Sequence, residues 1–464
     1  MKLQFLERFI AKYVAKIKKA APRFELGIKD LQSSALPLGH AADTDKISSQ
    51  QYINSRKSNY LLIICNGHGE DLIALEIIKE LLKITKSYIV EVMPLVGTGE
   101  IFDDFLSERI IKIGYQKVLP SGGFSNQSFL GFLKDLRGGM ITYLLKNWFY
   151  LRSKPKGYKI LAVGDLLPLF FAWSAKRDFG FIGTPKSDYS WMSGPGSSIS
   201  DFYHKLKGSE WDPWEMQLMR TNLCKCVIVR DELTSKNLHK KDIDAIYLGN
   251  PMMDFMQEIK LNSKNIDGYE KLILLIGSRF PEAYYNLDMF LRYLDDILFH
   301  SKSLIFTPLS SSSNSCKIEK IFIKHNYHKD SSSRFLMGEQ SVWIKENITL
   351  LVGKNKFQNW ANLADIGLAN AGTATEQICG LGKPVLSLPR KGPQFTKSFA
   401  IRQQRLLGGS VIACMNKKIF QEKLLSLLQN KEFRFKQGKL GKERMGAPGA
   451  SAAIANFINL KLLR

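Results

Sequence analysis

Three turns in this 464-residue chain place small residues, hydroxyls and charge where an apolar run gives way to a helical pattern. The first is Asn66-Gly67-His68-Gly69-Glu70-Asp71, directly after Tyr60–Cys65. Glycines let backbone N–H groups come close to a ligand, and the helix that follows offers its positive end. His68 and Glu70 add groups able to act as acid, base or acceptor contact. The plainer account is turn chemistry with Asp71 near a helix N-terminus. The second turn, Gly277-Ser278-Arg279, follows Leu272–Ile276. Backbone donors, a hydroxyl and a guanidinium there suit a diphosphate, the competing account being an Arg279–Glu282 pair. The third is Asn370-Ala371-Gly372-Thr373-Ala374-Thr375-Glu376, after Ile366–Ala369. Its small residues would let a diphosphate sit on a helix end. Glu376, one turn inside, stands at the depth where the acid of a dinucleotide site takes the ribose hydroxyls. A capped helix packed on a sheet explains the threonines but not the whole arrangement.

Such turns need a scaffold that holds strand ends beside helix starts. Tyr60–Cys65 is apolar on both faces, as in parallel sheets covered by helices. The spacing predicts a helix over Leu72–Ile84 and a strand over Tyr88–Val96, one right-handed βαβ unit. Further strands are expected at Lys159–Val163, Gly180–Gly183, Cys226–Val229 and Ala245–Leu248. Gly249–Tyr269 is polar and breaks the rhythm. It restarts with Leu272–Ile276, the helix Ala283–Leu298, and strands at Ser303–Pro308, Ile348–Val352, Ile366–Ala369 and Val385–Leu388. Alternating strands and helices define an α/β fold with two Rossmann-like, doubly wound parallel-sheet domains. The expected organisation is a basic amphipathic helix and linker at 1–57, a first domain at 58–255 and a second, with terminal helices, at 256–464.

Lys and Arg outnumber Asp and Glu by 66 to 43, a net charge of +23 that predicts an anionic partner. Without a basic block, RNA-recognition pattern or zinc signature, nucleic acid is not that partner. The six cysteines form no CxxC pair, Cys65 and Cys379 lie inside apolar runs where a free thiol acts as a small hydrophobe, and a reduced, intracellular setting is expected. Neither they nor the seven histidines form a ligand cluster, and no metal or other cofactor is expected. No apolar run is long enough to span a membrane. Leu3, Leu6, Phe9, Ile10, Tyr13, Val14 and Ile17 recur at helical spacing opposite Lys2, Arg8, Lys12, Lys16, Lys18 and Lys19. A basic amphipathic helix of this kind lies in an anionic interface or docks on its own protein. Residues 121–152 mix glycines, aromatics and cations, and are expected to form a membrane-facing helical patch, the competing account being a buried helix with snorkelling lysines.

Three landmarks appear in the order and rough spacing of the lipid-A-disaccharide synthases: Gly249-Asn250-Pro251-Met252-Met253-Asp254, Leu275-Ile276-Gly277-Ser278-Arg279-Phe280-Pro281-Glu282 and Gly372-Thr373-Ala374-Thr375-Glu376. The chain resembles a divergent, synthase-related branch of that family, from about Gly249 to Ala447 and more weakly over 60–248. The resemblance implies an inverting glycosyltransferase of the GT-B type, two Rossmann-like domains facing a central cleft, using a UDP-sugar as co-substrate. It implies that Gly277, Ser278 and Arg279 face the donor diphosphate. Gly372, Thr373 and Thr375 would lie along the pyrophosphate, and Glu376 would reach the ribose. Gln394, followed by Gln403 and Gln404, would line the donor sugar. Asp165, in Gly164-Asp165-Leu166-Leu167-Pro168, falls where the family carries an aspartate at a strand end. The family's Gly-Glu-x-Ser-Gly-Asp loop is replaced here by Gly67-His68-Gly69-Glu70-Asp71, and its Asp-x-Pro-Asp-Phe-Asn stretch by Gly164–Pro168. Both departures lie in the acceptor half.

The expected reaction is displacement at an anomeric carbon, the acceptor being a lipid-linked, acylated sugar at the inner face of a membrane. Asp165 and His68 compete to take the acceptor proton, with Asp165 preferred and Glu70 beside them. Two rivals remain open: a UDP-sugar 2-epimerase with the same donor site, and a non-catalytic membrane-associated protein of the same fold.

Overall fold

The computed structural model describes residues 59–464 apart from 68, 118–133, 195–198, 257–265, 296, 298–301, 332–334, 336 and 391–394. The amphipathic segment expected within 1–57, residues 121–133 of the 121–152 patch, His68 and Gln394 all lie outside the described residues.

The continuous apolar runs become central strands because both their faces are covered. β1 (Asn59–Cys65) is buried from Leu61 onward and pairs in parallel with β2 (Tyr88–Pro94) and β4 (Lys159–Gly164). With β3 (Ile110–Lys112), β5 (Phe179–Gly183), β6 (Cys224–Val229) and β7 (Ala245–Ile246) they form a seven-stranded parallel sheet of order β3-β2-β1-β4-β5-β6-β7. Its helices include α1 (Gly69–Ile84), α2 (Met140–Ser153), α3 (Leu166–Ser174), α4 (Tyr189–Met192) and α5 (Ile199–Lys207).

The second sheet contains β8 (Glu270–Leu275), β9 (Ser303–Leu309), β10 (His328–Asp330), β11 (Ser341–Lys345), β12 (Ile348–Lys354), β13 (Ile366–Ala369), β14 (Val385–Ser387) and β15 (Val411–Ala413). Their order is β10-β11-β12-β9-β8-β13-β14-β15. Its helices include α6 (Glu282–Leu294), α7 (Thr373–Gly380), α8 (Lys397–Leu406), α9 (Lys431–Met445) and α10 (Ala450–Ile458). This sheet departs from the all-parallel expectation at one edge, where β10, β11 and β12 are antiparallel. Only Glu346 and Asn347 separate β11 from β12, and so short a link joins antiparallel strands only.

Both sheets reverse their strand order at one point, between β1 and β4 and between β8 and β13. Ligands of open α/β sheets bind beyond the carboxyl ends of strands at such points. The first and third sequence turns, and the second, follow β1, β13 and β8 respectively.

The link between sheets explains the Gly249–Asp254 landmark. Met252, Met253 and Met256 are buried in a core shared by α1 and the final helix. Gln377 of α7 donates to the Met252 carbonyl at 2.9 Å. Asp254 takes the Gly449 and Ser451 N–H groups, so it caps α10, which packs on α1 of the first half. Among the described residues, no helix is long and apolar enough to cross a membrane.

Candidate active site at the cleft between the halves

On the first half, β1 and β4 end level, with Cys65 opposite Val163. The loop after β1 bends at Gly67, where a φ of +92° and the abutting Val96 carbonyl leave no place for a side chain. The Gly67 N–H donates to Asp71 Oδ1 at 3.1 Å and ties the loop to the first turn of α1. Glu70 reaches under the end of β4, its Cγ 3.6 Å from where a Cβ on Gly164 would stand. Thr184, just past β5, donates to Glu70 Oε1 at 3.4 Å. Burial pushes the Glu70 carboxyl up to about 7, and the charges of Asp165 and Asp71 push the same way. Asp165 is the N-cap of α3, its Oδ1 accepting the Leu167 N–H at 3.1 Å. That cap is a sufficient structural reason for an aspartate there.

On the second half, β8 and β13 end level, with Leu275 opposite Ala369. Gly277, at φ +91°, lies against the Asn370 carbonyl. The Asn370 amide joins three turns: Nδ2 donates to the Leu388 carbonyl at 2.8 Å and to Asn286 Oδ1 at 3.2 Å, and Oδ1 accepts the Leu388 N–H at 2.9 Å. Asn286 in turn donates to the Ile276 carbonyl at 2.9 Å. The loops after β8, β13 and β14 are therefore one braced unit. Gly372 is exposed, and a Cβ there would meet open space. Gln403 donates to the Ala371 and Gly372 carbonyls, each at 3.2 Å, and so fixes the turn that starts α7. Thr375 is fully buried with its hydroxyl on the Ala371 carbonyl at 2.7 Å, so its side chain holds the turn instead of facing the cleft. Ser278 is exposed and Arg279 half-buried. Burial lowers the Arg279 guanidinium to about 10, and Glu282 pulls it back up.

The two edges meet. A Cβ on Gly69 would stand 3.2 Å from the Thr373 hydroxyl. Arg230, immediately after β6, pairs with Glu376 at 2.8 Å, the two side chains only 6% and 13% exposed. Arg230 also donates to the Thr184 carbonyl at 3.3 Å. Farther out α4 packs on α8, with Arg405 on Asp201 at 2.7 Å, Arg402 on Glu210, and Arg444 on the Ser193 hydroxyl at 2.9 Å.

The structure thus gathers Glu70, Asp165, Gly277, Ser278, Arg279, Gly372, Thr373 and Glu376 on two facing edges. Arg230 and Thr184 are absent from the sequence expectations, although each follows a buried strand, the position that singles out the other turns.

Two Rossmann-like parallel-sheet halves facing a cleft are the GT-B arrangement. No family model matches the chain, and no curated protein does. Solved structures do. S. aureus MnaA in complex with UDP is 16% identical over 87% of this chain and 96% of that one, with a TM-score of 0.52. A 2-epimerase for UDP-N-acetylglucosamine from Listeria monocytogenes, described as putative, is 15% identical over 87% and 96%, with a TM-score of 0.50. MurG from Acinetobacter baumannii is 12% identical over 87% and 99%, with a TM-score of 0.50. At these identities the likeness establishes the GT-B fold.

Proposed function

We propose that the chain is a glycosyltransferase related to the lipid-A-disaccharide synthases, moving a sugar from a UDP-sugar to a lipid-linked, acylated sugar with inversion. The supporting observation is the opposition of two unlike edges. The glycine-led turns at Gly277 and Gly372, with Arg279 beside them, lie across the Gly69–Thr373 contact from a carboxyl, Glu70, that burial pushes up to about 7. UDP as the carrier accords with the UDP complex of MnaA. We infer a place in the cytoplasm, at the inner face of a membrane, where a UDP-sugar and a lipid-linked acceptor would meet.

In the reaction, Glu70 as carboxylate takes the proton of the acceptor hydroxyl. The hydroxyl oxygen attacks the anomeric carbon from the face opposite the leaving group. The bond from that carbon to the diphosphate oxygen breaks, and UDP departs with the bonding pair. Arg279 and the N-terminal amides of α7 meet the charge growing on that oxygen. Glu70 takes the base role over Asp165 because Asp165 is engaged as a helix cap while the Glu70 carboxyl titrates near neutrality. Glu376 accepts Arg230 in this structure, so a ribose contact at Glu376 requires that pair to be shared or released.

Purified protein given labelled UDP-sugar and a lipid extract tests the reading. Label in the lipid phase is the expected result. An altered sugar left in the aqueous phase would assign the chain to the 2-epimerases, and binding without conversion would make it a non-catalytic relative.

A further inference from the structure

Helix α5 is amphipathic with its faces reversed. Asp201, His204 and Lys207 share the side turned toward the protein. Asp201 meets Arg405 at 2.7 Å, His204 Nε2 lies 3.5 Å from Glu210, and Lys207 reaches Asp212 at 2.7 Å and the Glu210 carbonyl at 2.9 Å. The outer side carries Ile199, Phe202 and Leu206, which are 91%, 71% and 75% exposed, while Tyr203 at its edge is tied back by its hydroxyl to Asp212 at 3.1 Å. Their spacing puts all three in one stripe. Surface helices of a globular protein turn the apolar stripe inward. Single exposed apolar residues need no explanation, but a contiguous stripe marks a contact.

The charges around the stripe select the partner. Lys205 is exposed on its flank beside Phe202. Lys241 stands at the C-terminal end of the helix, its Nζ 3.3 Å from where a Cβ on Gly208 would lie. The chain as a whole carries +23. An apolar stripe bordered by cations fits the headgroup boundary of an anionic bilayer, where the apolar side chains enter the acyl region and the lysines meet phosphates. A second copy of the chain would instead bring like-charged flanks together. The helix also sits where the halves meet, since the acids beneath it hold Arg402 and Arg405 of the second half.

We propose that the outer face of α5 (Ile199, Phe202 and Leu206) inserts into an anionic lipid surface and seats the mouth of the cleft on the membrane. The proposal rests on the glycosyltransferase reading only for its purpose, which is to bring a lipid-embedded acceptor to the cleft.

Flotation of the full-length protein with phosphatidylcholine vesicles, with and without phosphatidylglycerol, tests it. The protein should float with the anionic vesicles and far less with the neutral ones. Phe202→Ser with Leu206→Ser should weaken the anionic partition by about tenfold or more, two exposed apolar anchors being removed. Ile141→Ser with Phe149→Ser, on the partly exposed face of α2, should leave most of it. Unchanged melting temperatures show that both variants remain folded. Partition untouched by the α5 variant assigns membrane binding elsewhere, residues 1–57 included, and overturns the proposal. So does a wild-type protein that does not float, or a dimer in sedimentation velocity that the α5 variant dissolves. UDP calorimetry on the same samples separates the failures. UDP binding without flotation sinks the α5 proposal alone, and flotation without UDP binding sinks the glycosyltransferase reading alone.

Discussion

The two halves of the cleft share a topology and differ in chemistry. Each sheet offers the turns at its point of strand reversal. In the first half those turns carry carboxyls: Glu70, Asp71 and Asp165, with Thr184 beside them. In the second they carry backbone, amide and cation, Gly277, Asn370, Gly372 and Arg279, and the Glu376 carboxylate is taken up by Arg230 of the first half. On the reading proposed above, a shared scaffold separates a proton-handling edge from an anion-handling edge. The fold supplies the position, and the residues at each strand end supply the task. Charges on one edge should therefore govern the pH dependence, and those on the other the affinity for diphosphate.

The sharpest break is Glu70→Gln. Loss of a general base costs about 10²- to 10⁴-fold, so turnover should fall by that much while UDP affinity in calorimetry is kept. Wild-type turnover should fall as pH drops through about 7, because the base must be ionised. Stability runs the other way. A carboxyl with a raised folded pKa binds its proton more tightly in the native state, so its contribution is full below the ordinary carboxylate range. It is lost as pH rises through about 7. The Gln variant should melt above wild type at pH 8, and the gap should close at pH 5. Equal turnover of the two proteins would remove Glu70 from the mechanism.

On the opposite edge, Arg279→Ala should reduce turnover about 10²- to 10³-fold, the usual loss for one donor to a developing anion. UDP affinity should fall with it and the position of the pH limb should not move. A variant that loses turnover but binds UDP as before would confine the guanidinium to the transition state.

Where the edges touch, Arg230→Met leaves Glu376 without its guanidinium partner. Removing one partner of a buried pair costs about 3–5 kcal/mol. Thermal melting should show that loss, and adding Glu376→Gln should recover much of it. Full additivity of the two substitutions would mean that the pair is not coupled.

Much of this architecture is legible in the sequence, and for a physical reason. Strands buried on both faces are continuous apolar runs, so Leu61–Cys65, Ile160–Val163 and Leu272–Leu275 stand out, and the turns after them follow. Edge strands are legible only in part. β3, β10 and β15 are three residues each and carry no pattern of their own. The pairing of Arg230 with Glu376 joins residues 146 apart, and nothing in either local segment announces it. The role of Asp254 is hidden for the same reason, because the helix it caps begins almost two hundred residues later. α5 is hidden for a different reason. Its apolar spacing is plain, but only the ion pairs beneath it reveal that the stripe faces outward.

The smallest expected effect discriminates best between the two acidic candidates. Asn caps a helix about as well as Asp, so Asp165→Asn should keep the Leu167 N–H satisfied and the melting temperature close to wild type. Its effect should be electrostatic. The Asp165 charge helps to raise the Glu70 carboxyl, so its removal should let Glu70 ionise more readily and move the acid limb of the turnover profile below about 7. Maximal turnover should change only modestly. Asp165→Ala should show the same displaced limb together with a stability loss of about 1 kcal/mol from the missing cap. If Asp165→Asn instead lowers turnover by two orders of magnitude or more and leaves the limb in place, Asp165 is the base and the raised Glu70 carboxyl is a bystander. Position alone cannot separate the two carboxyls, since both sit at the same sheet edge; the direction of the pH shift can.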